Sequence, residues 1–300
     1  MARFDAVARV VQRLAVLLDA GIAPVSAWQH AAAGSGSAVA TAVVGRGGVG
    51  RELAEHLLEA RVLAPAAERS AWSALAAAWW VAVESGAPLA PTLRRFAETL
   101  RALAQSAREV EVALAGPVAT SRIVLALPGV GLLFGGLLGF DALRILVTTP
   151  AGWVTSAIGL LLVAGGFRWN RRLVAAARAV DATPGLALEL LAIAVAGGAS
   201  VDRSRRLVEV TLAEAQLPPL GGEADAVLAF SRAAGVPAAA MLQAEAEELR
   251  RTARSQAQRR AAELGTRLLL PLGLCILPAF IALGVAPIVL AIVSSTAASL

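Results

Sequence analysis

The 300-residue chain has no lysine and no tyrosine, one cysteine and two histidines. All 27 of its basic side chains are therefore arginine. Each scarcity closes off a chemistry. Without lysine there is no Walker A phosphate loop, no Schiff base and no Ser-Lys dyad. One cysteine cannot form a disulfide within the chain. Two histidines and one thiol leave little from which to build a transition-metal site. Aromatic residues make up only 4% and charged residues 16%, whereas 57% are hydrophobic, so the chain is too apolar to be disordered. The composition is that of a helical membrane protein that does no covalent chemistry, and neither a catalytic residue nor a cofactor is expected.

Near the N-terminus Arg3, Asp5, Arg9, Arg13 and Asp19 break up any uncharged core of signal-peptide length, so cleavage is not expected. Three longer apolar runs follow. Residues 123–140 carry no charge, and Val118 to Ser121 extend that run backwards past Arg122. Residues 145–167 and 268–300 are also free of charge. A helix needs about 20 apolar residues to cross a bilayer, and all three runs are long enough. Arg168, Arg171, Arg172 and Arg178 follow the second run, and Arg254, Arg259, Arg260 and Arg267 precede the third. By the positive-inside rule both polar segments face the cytoplasm. The predicted order is a cytoplasmic helical bundle (1–116), a first span (117–140), a short external loop (141–145) and a second span (146–167). A second bundle (168–267), a third span (268–293) and an external tail (294–300) complete it. Trp153 and Trp169 bracket the second span as a pair of interfacial aromatics.

The polar segments echo one another. LAVLLDAGIAPV at 14–25 and LAIAVAGGASVD at 191–202 are apolar helices stopped by Gly21 and Gly198 and restarted a few residues later. A helix ends readily on a left-handed residue, and glycine takes that conformation without a Cβ penalty. VAVESGAPLAPTL at 81–93 and FSRAAGVPAAAML at 230–242 each place Gly-x-Pro between two helices, at Gly86 and Pro88 and at Gly235 and Pro237. Proline in a first turn loses no hydrogen bond, so this is a stop-and-start joint. Each joint leads into an Arg- and Glu-rich helix, 94–112 and 243–263, and then into a span containing Leu-Pro. An internal duplication is inferred.

Those two runs, extended to 14–28 and 188–204, with the Gly-x-Pro joints and the order of spans, resemble the type II secretion F family. Its members are inner-membrane platform proteins of type II secretion, type IV pili and tight-adherence (Tad) pili. The resemblance implies an all-α membrane protein with two related cytoplasmic helical-bundle domains and three transmembrane helices. It further implies a non-enzymatic assembly role that couples a separate cytoplasmic secretion ATPase to pilin or pseudopilin subunits. Another platform protein, a homo- or hetero-oligomer and membrane lipid complete the implied partners. The protein would lie in the cytoplasmic membrane with its N-terminus inside and its C-terminus outside. The Ala-rich, all-Arg usage fits a compact Tad-type member. One stretch departs from the family pattern, because residues 34–50 are Gly-rich and read as poorly helical.

Other motifs resolve to plainer readings. Gly45, Gly47 and Gly50 spell G-x-G-x-x-G, but no second strand pattern supports a dinucleotide site, and a surface loop between helices is expected. His30 and His56 are far apart, and His56 sits among Glu52, Glu55 and Glu59, so a solvated face explains it better than a metal. Cys275 falls inside the third span and reads as a buried, inert thiol. Gly131, Gly135 and Gly139 repeat every four residues and make a ridge that another helix can approach closely. Pro271, Pro278 and Pro287 imply kinks. Arg250, Arg251, Arg254, Arg259 and Arg260 form either a solvated face or a contact for lipid or an acidic partner. Nucleic acid is disfavoured, because Glu245, Glu247, Glu248 and Glu263 interrupt the arginines and no aromatic platform accompanies them. A small-molecule transporter or permease subunit is the alternative function. It would be expected to carry ionisable groups at mid-membrane, and the three runs hold only Arg122, near a boundary.

Overall fold

A computed structural model describes residues 4–137, 148–178, 183–287 and 289. Among the described residues the chain is all-helical and contains no strand. The helices are α1 (Asp5–Asp19), α2 (Pro24–Ala33), α3 (Ala38–Arg46), α4 (Arg51–Ala60), α5 (Arg69–Ser85) and α6 (Leu89–Leu137). After the undescribed residues 138–147 come α7 (Pro150–Arg178), α8 (Leu186–Ala196), α9 (Val201–Glu214), α10 (Glu223–Ala234) and α11 (Ala238–Arg267). A final apolar helix, α12, occupies residues 269–285.

Two compact units emerge. Residues 1–108 and 181–255 form the first, and residues 109–180 and 256–300 the second. Residues of both polar segments contribute to one hydrophobic core in the first unit.

The first unit is built around α5 and α8. Alternation of buried and exposed positions makes α1 amphipathic, with Val7, Val10, Val11 and Leu14 inside. By contrast, α5 is buried at every position from Ala71 to Ala82, and α8 buries nearly its whole length. A helix that is apolar all round belongs at the centre of a packed body. Helices α4, α8, α9 and α1 all pack on α5. Trp28 and Trp79 meet edge to face, with ring centroids 5.8 Å apart, and the Trp79 indole N–H donates to Gly50 O at 3.0 Å. The polar exception within α5 is Ser73, whose hydroxyl accepts from Arg61 at 2.7 Å. Arg61 also donates to Ala215 O at 2.9 Å and to the Gln216 side chain at 2.7 Å, tying together residues 154 and 155 positions apart.

The Gly-rich stretch requires a correction. Residues 38–46 are helical, capped by Ser37, whose side chain accepts from the Ala40 N–H. Val39, Ala40 and Val43 are buried, so tertiary packing overrides the poor local propensity. Residues 34–37 and 47–50 of the stretch are non-helical, with Gly36, Gly47, Gly48 and Gly50 at positive φ. His56 closes the 47–50 loop through Nδ1, 3.0 Å from Gly47 O.

The second unit holds the lower part of α6, then α7, the end of α11, and α12. Two described helices are long and apolar enough to cross a membrane: Leu89–Gly131 and Ala238–Val285. Pro117 and Pro128 lie inside α6 without ending it. Helix α12 meets its prolines differently, with wide π turns at Leu272–Ile276 and Ile281–Val285. Each contains the residue four before a proline, Leu274 before Pro278 and Leu283 before Pro287, where an α-helical carbonyl would find a ring instead of an N–H. The extra residue moves the bonding to i−5, with Leu277 N–H donating to Leu272 O and Ala286 N–H to Ile281 O. The external loop at 141–145 and the tail at 294–300 lie outside the described residues, as does Gly139.

Candidate functional site

Four helix ends share one device. Gly21, Gly86, Gly198 and Gly235 have φ of 82°, 73°, 90° and 68°, the left-handed region that costs a side chain about 1–2 kcal/mol. After α1, Ile22 N–H returns to Leu17 O; after α5, Ala87 N–H returns to Ala82 O; after α10, Val236 N–H returns to Ser231 O. These bonds close orphan carbonyls and turn the chain for the next helix. Pro88 and Pro237 each stand directly before the first residue of α6 or α11, where no intrahelical N–H is needed.

Helices α1 and α6 are stapled at both ends. Asp19 pairs with Arg94 and Asp5 with Arg108, each at 2.5 Å. Fourteen residues down α1 match fourteen up α6, so the two run antiparallel in one register. All four side chains are at least a third exposed, where ion pairs contribute about 0.2–1 kcal/mol. Arg94→Gln and Asp5→Asn are each expected to lower stability by less than about 1 kcal/mol in thermal unfolding.

Glu189 behaves differently. It sits on the buried helix α8 with its side chain 3% exposed, accepts from the Thr99 hydroxyl at 2.9 Å and pairs with Arg250 at 2.7 Å. One carboxylate therefore fastens α6, α8 and α11 together. Helix α8 is also held at its two ends by close backbone approach. A Cβ on Gly185 would lie 3.0 Å from the Ala246 Cα, and one on Gly197 would lie 2.7 Å from the Ser85 Cβ and collide with the Ser85 carbonyl.

The arginines of α11 differ in their surroundings. Arg250 turns inward to Glu189 and leaves the expected outward set. Its place is decided by the stripe Leu242, Ala246, Ala257, Ala261 and Leu264, all buried at helical spacing. Arg251 is exposed and pairs with Glu247 along the helix at 2.6 Å. Arg254 and Arg260 are exposed and have partners of their own, and Arg259 is exposed. Elsewhere the Arg205 guanidinium is held above its ordinary range by hydrogen bonds to Glu209 and then Asp225. Among the described residues no group of histidine, cysteine, aspartate and glutamate could hold a metal.

In the second unit Gly131 receives the Phe280 ring, since a Cβ there would lie 2.8 Å from its Cε2. Two glycines on α7 that spacing alone did not single out do the same. Gly159 faces Leu283, and Gly166 faces Ile276 and the Cys275 Cβ. Cys275 is half-buried, more open than expected. Gly135 lies within α6.

These features make a helical scaffold. Residues 10–136, from α1 almost to the end of α6, match the family model described as Type II secretion system (T2SS), protein F. That stretch is similar to a type II secretion F domain. No curated protein and no solved structure matches it. Proteins with this F domain are generally non-enzymatic membrane platforms of secretion machinery, and the apolar helices Leu89–Gly131 and Ala238–Val285 suit the inner membrane.

Proposed function

We propose that this F-domain protein is an inner-membrane platform of a type II secretion or type IV/Tad pilus machine, coupling a cytoplasmic secretion ATPase to pilin assembly. The match over residues 10–136 carries the reading. The arrangement of α6 supports it, because one helix carries Thr99 of the buried Glu189 fastening and ends among apolar residues. A push or twist on the helical unit would be conveyed along α6 and along α11 with α12. Pilin or pseudopilin subunits, a second platform protein and further copies of the chain are the partners that fit.

Three spans, with the N-terminus inside and the C-terminus outside, belong to the same proposal. The charge-free residues 150–167 within α7 would supply the second. Internal duplication belongs to it as well, and the recurrence of left-handed glycine joints supports it. Gly21 to Gly198 is a shift of 177 positions, and Gly86 to Gly235 a shift of 149 (198 − 21 and 235 − 86). Those shifts carry Gln12 to Glu189 and Arg101 to Arg250. The two staples place Gln12 opposite Arg101, midway between them, and Glu189 does meet Arg250.

Affinity purification of the full chain from its native membranes is expected to bring down a secretion ATPase. A deletion strain is expected to lose surface pili or secretion. Normal pilus assembly and secretion in that strain would sink the reading.

A further inference from the structure

In the second unit, the register of three helices aligns the starts of three apolar runs. Ser121 on α6 accepts from the Asn170 side chain on α7, both buried. Seven residues back and seven forward, Leu114 and Ala177 share a small apolar cluster, so α6 and α7 are antiparallel. Gln258 donates to Glu109 at 3.2 Å, and a Cβ on Gly265 would lie 3.9 Å from the Pro117 Cγ, so α11 runs parallel to α6. At 1.5 Å per residue, Arg122, Arg168, Arg171, Arg172 and Arg267 then fall within about 6 Å along the helix axes. Directly beyond this level begin Ile123 and Leu268, and directly before it ends Phe167.

All five arginines are exposed. Arg171 lies over the Phe167 ring at 5.7 Å, and Trp169, 38% exposed, stands between Arg168 and Asn170. The carboxylate facing this collar is Glu263, paired with Arg267 at 2.9 Å. Among the described residues, Arg122, Arg168 and Arg172 have no acidic partner. Five guanidinium groups against one carboxylate, at the edge of apolar helices and beside an interfacial tryptophan, call for anions arrayed in a plane.

We propose that this collar binds the phosphate groups of anionic phospholipids in the facing leaflet and so fixes the depth of the helices in the bilayer. The inference rests on the membrane reading above and adds the headgroup class and the residues that hold it. Guanidinium offers paired donors matched to phosphate oxygens, and an apolar wall on one side lets the acyl chains lie along Ile123, Leu160 and Leu269, all exposed. Arg259 and Arg260 stand about 10 Å farther back along α11 and are outside this plane.

The test uses the full chain reconstituted in vesicles of equal parts phosphatidylcholine and phosphatidylglycerol, extracted in mild detergent, with retained lipid counted by native mass spectrometry. The unsubstituted protein should retain phosphatidylglycerol over phosphatidylcholine, and added salt should erode that preference. Replacing the collar arginines by Gln is expected to lower the preference about fivefold for each of the first few removed, while Lys replacements keep most of it. If the fivefold substituted chain fails to fold, Arg168→Gln with Arg172→Gln carries the comparison. Equal retention by the native and Gln chains, or no preference in the native chain, overturns the collar. Resistance of the chain to carbonate extraction is measured alongside. A chain that carbonate releases overturns the membrane reading itself, whereas an inserted chain without lipid preference overturns the collar alone.

Discussion

Glu189→Ala is expected to destabilise the helical unit by about 3–5 kcal/mol. The carboxylate is 3% exposed and its Arg250 partner 17%, so truncation strands a guanidinium that water barely reaches. The Thr99 hydroxyl loses its acceptor in the same step. Trp28, Trp72 and Trp79 are all fully buried in this unit, so tryptophan emission during thermal unfolding of the full chain in detergent reads the loss directly. The fastening itself need not be stabilising. Taking two charges out of water costs about as much as their attraction returns, so a well-packed apolar replacement of both should recover much of the loss. Glu189→Leu combined with Arg250→Leu is therefore expected to be more stable than Glu189→Ala alone. A loss below about 1 kcal/mol in Glu189→Ala would place the pair with ordinary surface bridges. If the apolar double variant folds well yet fails to support pilus assembly or secretion, the charge pair acts in coupling and not in stability. Wild-type activity in that variant would remove it from the mechanism.

This contrast separates what the sequence displays from what it hides. The joints were visible because helix termination is local: a glycine at φ near +70° to +90° and a proline before the next first turn act within a few residues. Gly21, Gly86, Gly198 and Gly235 all sit where such rules put them. Arg250 reads like its neighbours because charged residues crowd that helix. Its position four residues after the buried Ala246, on the stripe that continues to Ala257 and Ala261, was the available signal. Glu189 gave a signal too, as the lone charge in a helix otherwise apolar from Leu186 to Ala196. The shared core was not legible, since hydrophobic periodicity tells which face is buried but not against which partner. Residues 34–50 read as poorly helical because β-branched residues and glycines weaken a helix in isolation, and burial of Val39 and Val43 makes 38–46 helical. The collar needed the helix register, since Arg122, Arg172 and Arg267 are far apart in sequence and become level only through Ser121 with Asn170 and Pro117 with Gly265.

Gly197→Val is expected to cost about 3 kcal/mol, at the upper end for overpacking. The reason differs from that of its neighbour. Gly198 has φ of 90° and open space where a Cβ would go, so Gly198→Ala carries only the left-handed penalty, about 1–2 kcal/mol. Gly197 has φ of −70°, comfortable for any residue, and alanine there would even gain helix propensity. What forbids a side chain is the end of α5, where the Ser85 carbonyl, Cβ and hydroxyl all crowd the site. A carbonyl fixed by the helix cannot swing away as a flexible side chain can, so α5 and α8 must separate. Ser85→Gly removes the Cβ and hydroxyl but leaves the carbonyl, and it is expected to rescue Gly197→Val only in part. Full rescue would mean that the Ser85 side chain, not the backbone, sets the spacing of the two central helices. Adjacent glycines that look alike in the sequence are thus required for unrelated reasons, Gly198 by its own backbone and Gly197 by its neighbour's.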